Sequence, residues 1–194
     1  IYFGGGTPSL LPPEELEEFI AHAAELFDCT VLEECTVEAN PDDLTPDYLR
    51  RLARTRVDRL SIGVQSFDDG ELRLMNRRHT ADAARKAVRQ AQEAGFGNVT
   101  VDLIFGVHGF GAATLARNLR ETVALGVQHV SAYHLTVEPQ TAFGRRMAQG
   151  RFSPVTEETS EEEFLTVHRT LRDAGFEHYE VSNYALPGRR AIHN

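Results

Sequence analysis

Short apolar runs and longer stretches of helical spacing alternate along the chain, and that alternation predicts a string of strands and helices. Residues 1–3 read as the end of a strand running straight into Gly4-Gly5-Gly6. Pro12-Pro13 then opens a helix over 14–27, with Leu16, Phe19, Ile20, Ala23 and Phe27 on one face. Residues 36–39 predict a short strand closed by Asn40-Pro41, and Thr45-Pro46-Asp47 caps a helix reaching 54. Leu60, Ile62 and Val64 alternate along a third strand, 59–64. A helix over 80–94 ends at Gly95, a strand follows at 99–104, a helix over 112–125 ends at Gly126, and 129–137 is again a strand. Past Pro139 the rhythm changes to a short helix at 141–149, a long one at 160–174 and a late strand at 177–181.

Strands separated by helices imply a parallel sheet with right-handed crossovers. Their unbroken succession favours a partial (β/α) barrel, with an open doubly wound sheet as the structural alternative. The chain starts inside a strand and without Met, so it is expected to be a piece of a longer protein, incomplete at its N-terminus.

Composition narrows the classes. The net charge of −9 lacks the basic footprint of a nucleic-acid binder. No apolar run approaches the ~18 residues of a membrane span. Arg50, Arg51, Arg54, Arg56 and Arg59, flanked by Asp42, Asp43 and Asp47, read as a solvated helix face. Cys29 and Cys35 fit neither a disulfide framework nor a short metal motif; they read as buried free thiols in a reducing, cytoplasmic setting.

Ligands of parallel βα folds sit at the carboxyl ends of the strands. There the sequence places Gly4-Gly5-Gly6-Thr7, Glu38, Gln65, Asp102 and Thr136. A carboxylate on a buried strand is costly unless it meets a cation or a donor, and several on different strands read as one wall of a site. The glycine turn is neither a P-loop nor Gly-x-Gly-x-x-Gly. Bare backbone there suits an amino-acid moiety, with Arg77 for a carboxylate and Glu38 and Asp102 for ribose hydroxyls or an ammonium. His129 and His134, five apart on one strand, face opposite sides and cannot share a metal. His79 reads as a helix-start residue beside Arg77-Arg78.

In order, Phe3-Gly-Gly-Gly-Thr-Pro-Ser9, Val37-Glu-Ala-Asn-Pro41, Arg59-Leu-Ser-Ile-Gly-Val-Gln-Ser-Phe67, Asn76-Arg-Arg-His79, Val101-Asp-Leu-Ile-Phe-Gly106 and Val130-Ser-Ala-Tyr-His-Leu135 resemble the radical S-adenosylmethionine (SAM) proteins of the coproporphyrinogen III dehydrogenase group. The resemblance covers nearly the whole chain. It implies a radical-SAM barrel core over residues 1–140 and the start of the group's C-terminal region over 141–194. It also implies that Gly5, Gly6, Thr7, Glu38, Gln65, Arg77, Asp102 and the main chain of Thr136 contact SAM. The tail Tyr179-Glu-Val-Ser-Asn-Tyr-Ala-Leu-Pro-Gly188 with His193-Asn194 looks like the heme-chaperone branch, which makes His193 a candidate heme contact. The implied cofactors are SAM, a [4Fe–4S] cluster and heme, and the implied partners are a porphyrin or heme and a heme-acceptor protein. The alternative is the dehydrogenase itself, which decarboxylates propionates oxidatively to vinyls. Gly106-Val-His-Gly-Phe-Gly111 and Glu138-Pro-Gln-Thr141 depart from the group's pattern, and the Cys-x₃-Cys-x₂-Cys cluster motif is absent and expected upstream.

Overall fold

The computed structural model describes residues 1–194, the side chain of Ala142 excepted. Strands β1 (Tyr2–Phe3), β2 (Thr36–Ala39), β3 (Arg59–Gln65), β4 (Val99–Phe105) and β5 (His129–His134) pair in parallel, each with its successor. Helices α1 (Pro13–Leu26), α2 (Pro46–Leu52), α3 (Asp69–Leu74), α4 (Ala81–Glu93) and α5 (Ala112–Ala124) fill the crossovers. After α6 (Ala142–Ala148) and α7 (Glu157–Asp173), β6 (Glu177–Glu180) and β7 (Asn183–Ala185) extend the sheet, giving the order β1-β2-β3-β4-β5-β7-β6. β7 runs antiparallel to β5 and β6 antiparallel to β7. The expected architecture stands: a partial (β/α) barrel whose sheet stays open between β1 and β6. No helix among the described residues is long and apolar enough to cross a membrane.

The two faces of the sheet differ in chemistry. Val37, Leu60, Ile62, Val64, Val99, Val101, Leu103 and Val130 are buried on the core side. Their period-two neighbours, from Thr36 and Glu38 to Ser131 and Tyr133, line a cavity on the other side. α4 shows how the core side closes. Ala81, Ala84, Ala87, Val88 and Ala91 form a narrow buried stripe, and small side chains let the helix lie close to the strands. Thr80 caps it, its Oγ1 accepting from the Ala83 N–H at 3.2 Å.

Several sequence expectations change. α3 and β7 were not anticipated: α3 is too short for periodicity to reveal, and β7 pairs through contacts far away in sequence. β5 stops at His134 rather than 137, because its partner β4 ends at Phe105, opposite His134, and turns away at Gly106 (φ 78°). Phe19 and Phe27 do not pack inward; they are 61% and 70% exposed, and Phe19 instead meets Phe3 edge-on. Cys35 is buried as expected, but Cys29 is only half-buried.

Two charged residues are misplaced by sequence reading more seriously. Arg50, Arg51 and Arg56 are surface ion-pair partners of Asp47, Glu14 and Glu17, as a solvated face requires. Arg59 is not: it is 2% exposed and pairs with buried Glu34 at 2.7 Å. As the first residue of β3 it belongs to the sheet interior, not to the helix before it. His79 is likewise buried, with Nε2 2.9 Å from the Val64 carbonyl, and burial pushes its pKa below the usual imidazole range.

Candidate functional site

The polar face of the sheet surrounds a cavity of about 250 Å³. Among the residues singled out from sequence, Gly6, Thr7, Glu38, Gln65, Arg77, Asp102 and His193 all line it. Gly5 sits at its rim, donating its N–H to Glu38 Oε2 at 3.0 Å. Thr136 does not line it; it is exposed beyond the end of β5, past the last paired residue.

The glycine turn is held by Glu38. Tyr2 Oη donates to Glu38 Oε1 at 2.5 Å while Gly5 N–H binds the other carboxylate oxygen, so one side chain ties β1 to its own turn. Burial and the Glu38 bond raise the Tyr2 phenol pKa, so it stays a donor. A Cβ on Gly4 would lie 2.4 Å from the Tyr2 ring, and Gly5 and Gly6 have φ of 77° and 62°. The three glycines are therefore required by close approach and by left-handed backbone respectively.

Gln65 and Arg77 reach the cavity by unusual routes. Gln65 ends β3 at φ 66°, where the β3–β4 register shifts. A left-handed non-glycine residue costs roughly 1–2 kcal/mol and persists only when its surroundings over-determine it. Here the next residue supplies the restraint: Ser66 Oγ donates to buried Glu71, and Asn118 Nδ2 donates to the same carboxylate at 2.8 Å while its Oδ1 takes the Phe67 N–H. Arg77 follows Asn76, left-handed at φ 57°, which ends α3 and turns the chain back. Its Nη2 donates to Asn40 Oδ1 at 2.8 Å and to the Gly63 carbonyl at 3.1 Å. Gly63 leaves room for both side chains, since a Cβ there would sit tightly against Gln65 Nε2 at 3.1 Å and Arg77 Nη2 at 3.2 Å and push one of them aside by a few tenths of an ångström.

Replacing Gln65 with glycine relieves the φ cost but adds unfolded-state entropy worth about 0.4–1 kcal/mol, so stability is expected to rise by no more than about 1 kcal/mol, while any ligand held by the amide is weakened. Urea denaturation beside ligand titration checks this; a variant less stable than the parent by about 1 kcal/mol or more would show that the conformation carries no strain beyond the entropy that glycine adds to the unfolded chain.

Asp102 forms the acidic wall. Burial pushes its pKa up to about 7, against the lowering effect of the Ser131 and Ser61 hydroxyls. Ser61 Oγ donates to both its oxygens, at 3.1 and 3.3 Å. The cavity thus presents the Glu38 side chain, a carboxyl that titrates near neutrality, a carboxamide and a guanidinium. Such a set holds a zwitterionic amino-acid group and a diol; it is poorly suited to a polyphosphate.

His193 arrives from the other end of the chain. Its ring lies 3.8 Å from that of Tyr2, tilted by 31°, and its Nδ1 is 3.9 Å from Glu34. His129 faces the cavity, whereas His134 points away to Ser160 Oγ at 2.9 Å, so the two do not converge. No group of three His, Cys, Asp or Glu able to hold a metal occurs among the described residues. Cys29 and Cys35 do not fit an iron–sulfur cluster: Cys35 is sealed in the core, and burial pushes its thiol pKa up to about 11.

Residues 1–122 match the family model described as the Radical SAM superfamily. The chain belongs to that family. Among curated relatives of this radical SAM chain, the heme chaperone HemW of Lactococcus lactis is 38% identical over the whole chain and 51% of its own length. The radical S-adenosyl methionine domain-containing protein 1, mitochondrial, of Bos taurus is 36% identical over the whole chain and 44% of its own length. The chain therefore spans about half the length of the curated relatives it matches. Among solved structures, coproporphyrinogen III oxidase (HemN) of Escherichia coli superposes with a TM-score of 0.82 at 23% identity, over 96% of this chain and 43% of that one. The archaeal Elp3 of Methanocaldococcus infernus superposes with a TM-score of 0.72 at 21% identity, over 90% of this chain and 44% of that one. At these identities both show the radical SAM fold alone.

Sequence reading missed Tyr2, Asn40, Ser61, Gly63, Ser131 and Tyr133 as lining residues, and Arg59, His129 and Asn183 at the cavity's deep end. The signal was present for the strand residues: polar positions alternate with apolar ones along β2 to β5. Attending to strand ends alone passes over it.

Proposed function

We propose that this chain is the SAM-binding part of a radical SAM protein of heme or porphyrin metabolism, of the heme-chaperone kind. The observation that carries the reading is the single cavity in which Glu38, Gln65, Arg77 and Asp102, from four separate segments, surround the Gly5-Gly6-Thr7 turn. In this reading the turn's free backbone groups and Glu38 take the ammonium and carboxylate of SAM. Arg77 supplies a charge-assisted donor, Asp102 accepts from the ribose, and the Thr136 main chain makes an outlying contact. Tyr2 orients Glu38, and the Ser61 hydroxyl orients Asp102.

SAM supplies the radical chemistry for which the family is named. The cysteines present do not fit the [4Fe–4S] cluster, which the reading places elsewhere in the full-length protein. Residues 1–140 form the core of the site, and 141–194 begin the region that brings His193 to it as a heme contact. A heme-acceptor protein completes the proposed set of partners. The names of the curated relatives favour heme delivery over the dehydrogenase reaction.

The test uses the full-length protein, reconstituted anaerobically with iron and sulfide. Saturable SAM binding is expected, weakened about 10–100-fold in Arg77→Ala, the range for losing a charge-assisted hydrogen bond. Stoichiometric heme uptake by absorbance, without conversion of coproporphyrinogen III, is expected alongside it. Conversion to the divinyl product would make the protein the dehydrogenase instead, and an absence of SAM binding would sink the reading of the cavity.

A further inference from the structure

The cavity continues below the residues assigned to SAM, toward the amino ends of the strands. Arg59 opens β3 and His129 opens β5, while Asn183 lies on β7 beside Ser131. These three are 2%, 1% and 4% exposed and line the cavity, and Arg59 Nη1, His129 Nδ1 and Asn183 Oδ1 have no partner. Native proteins seldom leave a buried polar atom unpaired, and three lining one cavity point to a ligand.

The role of each atom follows from what its side chain already holds. Tyr179 Oη accepts from Ala191 N–H at 3.2 Å and from Asn194 Nδ2 at 3.0 Å. Its own proton is therefore directed to His129 Nε2, 2.7 Å away. His129 is neutral, since burial pushes its pKa down to about 3, so its one ring proton sits on Nδ1. Arg59 uses Nε on Glu34 at 2.7 Å and Nη2 on the Arg189 and Arg190 carbonyls at 3.0 and 3.2 Å, which leaves Nη1 as a second donor. Asn183 Nδ2 donates to Glu180 Oε2 at 2.6 Å, which leaves Oδ1 as an acceptor.

Two donors and one acceptor restrict what fits. A cation would meet the guanidinium and the Nδ1–H. An anion would meet Asn183 Oδ1, and the only cation of the three, Arg59, already spends its charge on Glu34. We propose that Arg59, His129 and Asn183 form a second binding site at the cavity floor for a small neutral group that both accepts and donates hydrogen bonds. Internal water meets this description, as does the hydroxyl or carboxamide end of a ligand. The site is independent of where SAM binds.

Crystals of the full-length protein, grown alone, with acetamide and with acetate, test it. Without additive, water is expected within hydrogen-bond distance of Arg59 Nη1 and His129 Nδ1. Acetamide displacing that water assigns the floor to a ligand end; water persisting in its presence assigns the floor to hydration. A floor with no density, its side chains paired to one another, overturns the proposal, and so does acetate bound there. Spectra of ¹⁵N-histidine-labelled protein give a second measure. His129 is expected as the Nδ1–H tautomer, and an Nε2–H tautomer would remove the donor on which the site depends.

Discussion

Arg59→Met is expected to lower the free energy of unfolding by about 3–5 kcal/mol, the usual range for stranding one partner of a buried ion pair. Glu34 is 9% exposed, and Arg59 Nε reaches its Oε2 at 2.7 Å. The other oxygen accepts from Thr36 Oγ1 at 3.1 Å and Ile192 N–H at 3.2 Å. Removing the guanidinium leaves a buried carboxylate with two neutral donors, and also frees the Arg189 and Arg190 carbonyls that Nη2 holds. The loss therefore combines an unpaired charge with release of the tail segment that carries His193. A double replacement, Arg59→Met with Glu34→Leu, is expected to recover part of the stability, because the desolvation cost of both charges disappears together. Urea denaturation of the full-length protein measures both; a single-variant loss below about 1 kcal/mol would mean that water reaches the pair.

Asp102→Asn is expected to change how stability depends on pH, and its sign is opposite to that of an ordinary salt-bridged aspartate. The carboxyl titrates near 3.8 in the unfolded chain and at about 7 in the folded one. Between those values the folded state holds a proton that the unfolded state has lost, so this group makes stability fall as pH rises. Its contribution is complete below about pH 4 and gone above about pH 7, with an upper bound of about 4 kcal/mol at ~1.4 kcal/mol per pKa unit. The asparagine variant lacks this limb. Without ligand it is expected to match the parent near pH 4 and to exceed it by roughly 2–4 kcal/mol at pH 8. Denaturation midpoints at the two pH values decide the matter; parallel curves would mean that Asp102 is ionised throughout. If the cavity binds SAM as proposed, affinity in the parent rises through pH 7 as Asp102 ionises, and the variant shows no such rise.

Most of the fold was legible in order and type. Leu60, Ile62 and Val64 alternate because one face of β3 is buried against helices, and Thr80 and Gly95 bracket α4 because a helix needs a cap and a left-handed exit. The elements that escaped notice were α3, which is short, and β7, whose pairing with β5 joins Asn183 to Ser131 across more than fifty positions. At the site, glycines and carboxylates at strand ends stood out, because they are expensive there and function repays the cost. Arg59 and His79 were misread because they adjoin charged surface segments, and proximity in sequence says nothing about which face of a strand a side chain takes.

The sequence by itself determined the parallel βα rhythm, the glycine turn and the polar residues that alternate along β2 to β5, since these rest on local periodicity and backbone sterics. Tertiary structure decided which of those polar groups share a cavity, that Gln65 is held left-handed, that Arg59 spends its charge on Glu34, and that His193 comes to rest on Tyr2. These depend on contacts between residues far apart in the chain. Their energies come from burial, which no local pattern records: a charge costs little on a helix surface and several kcal/mol inside a barrel.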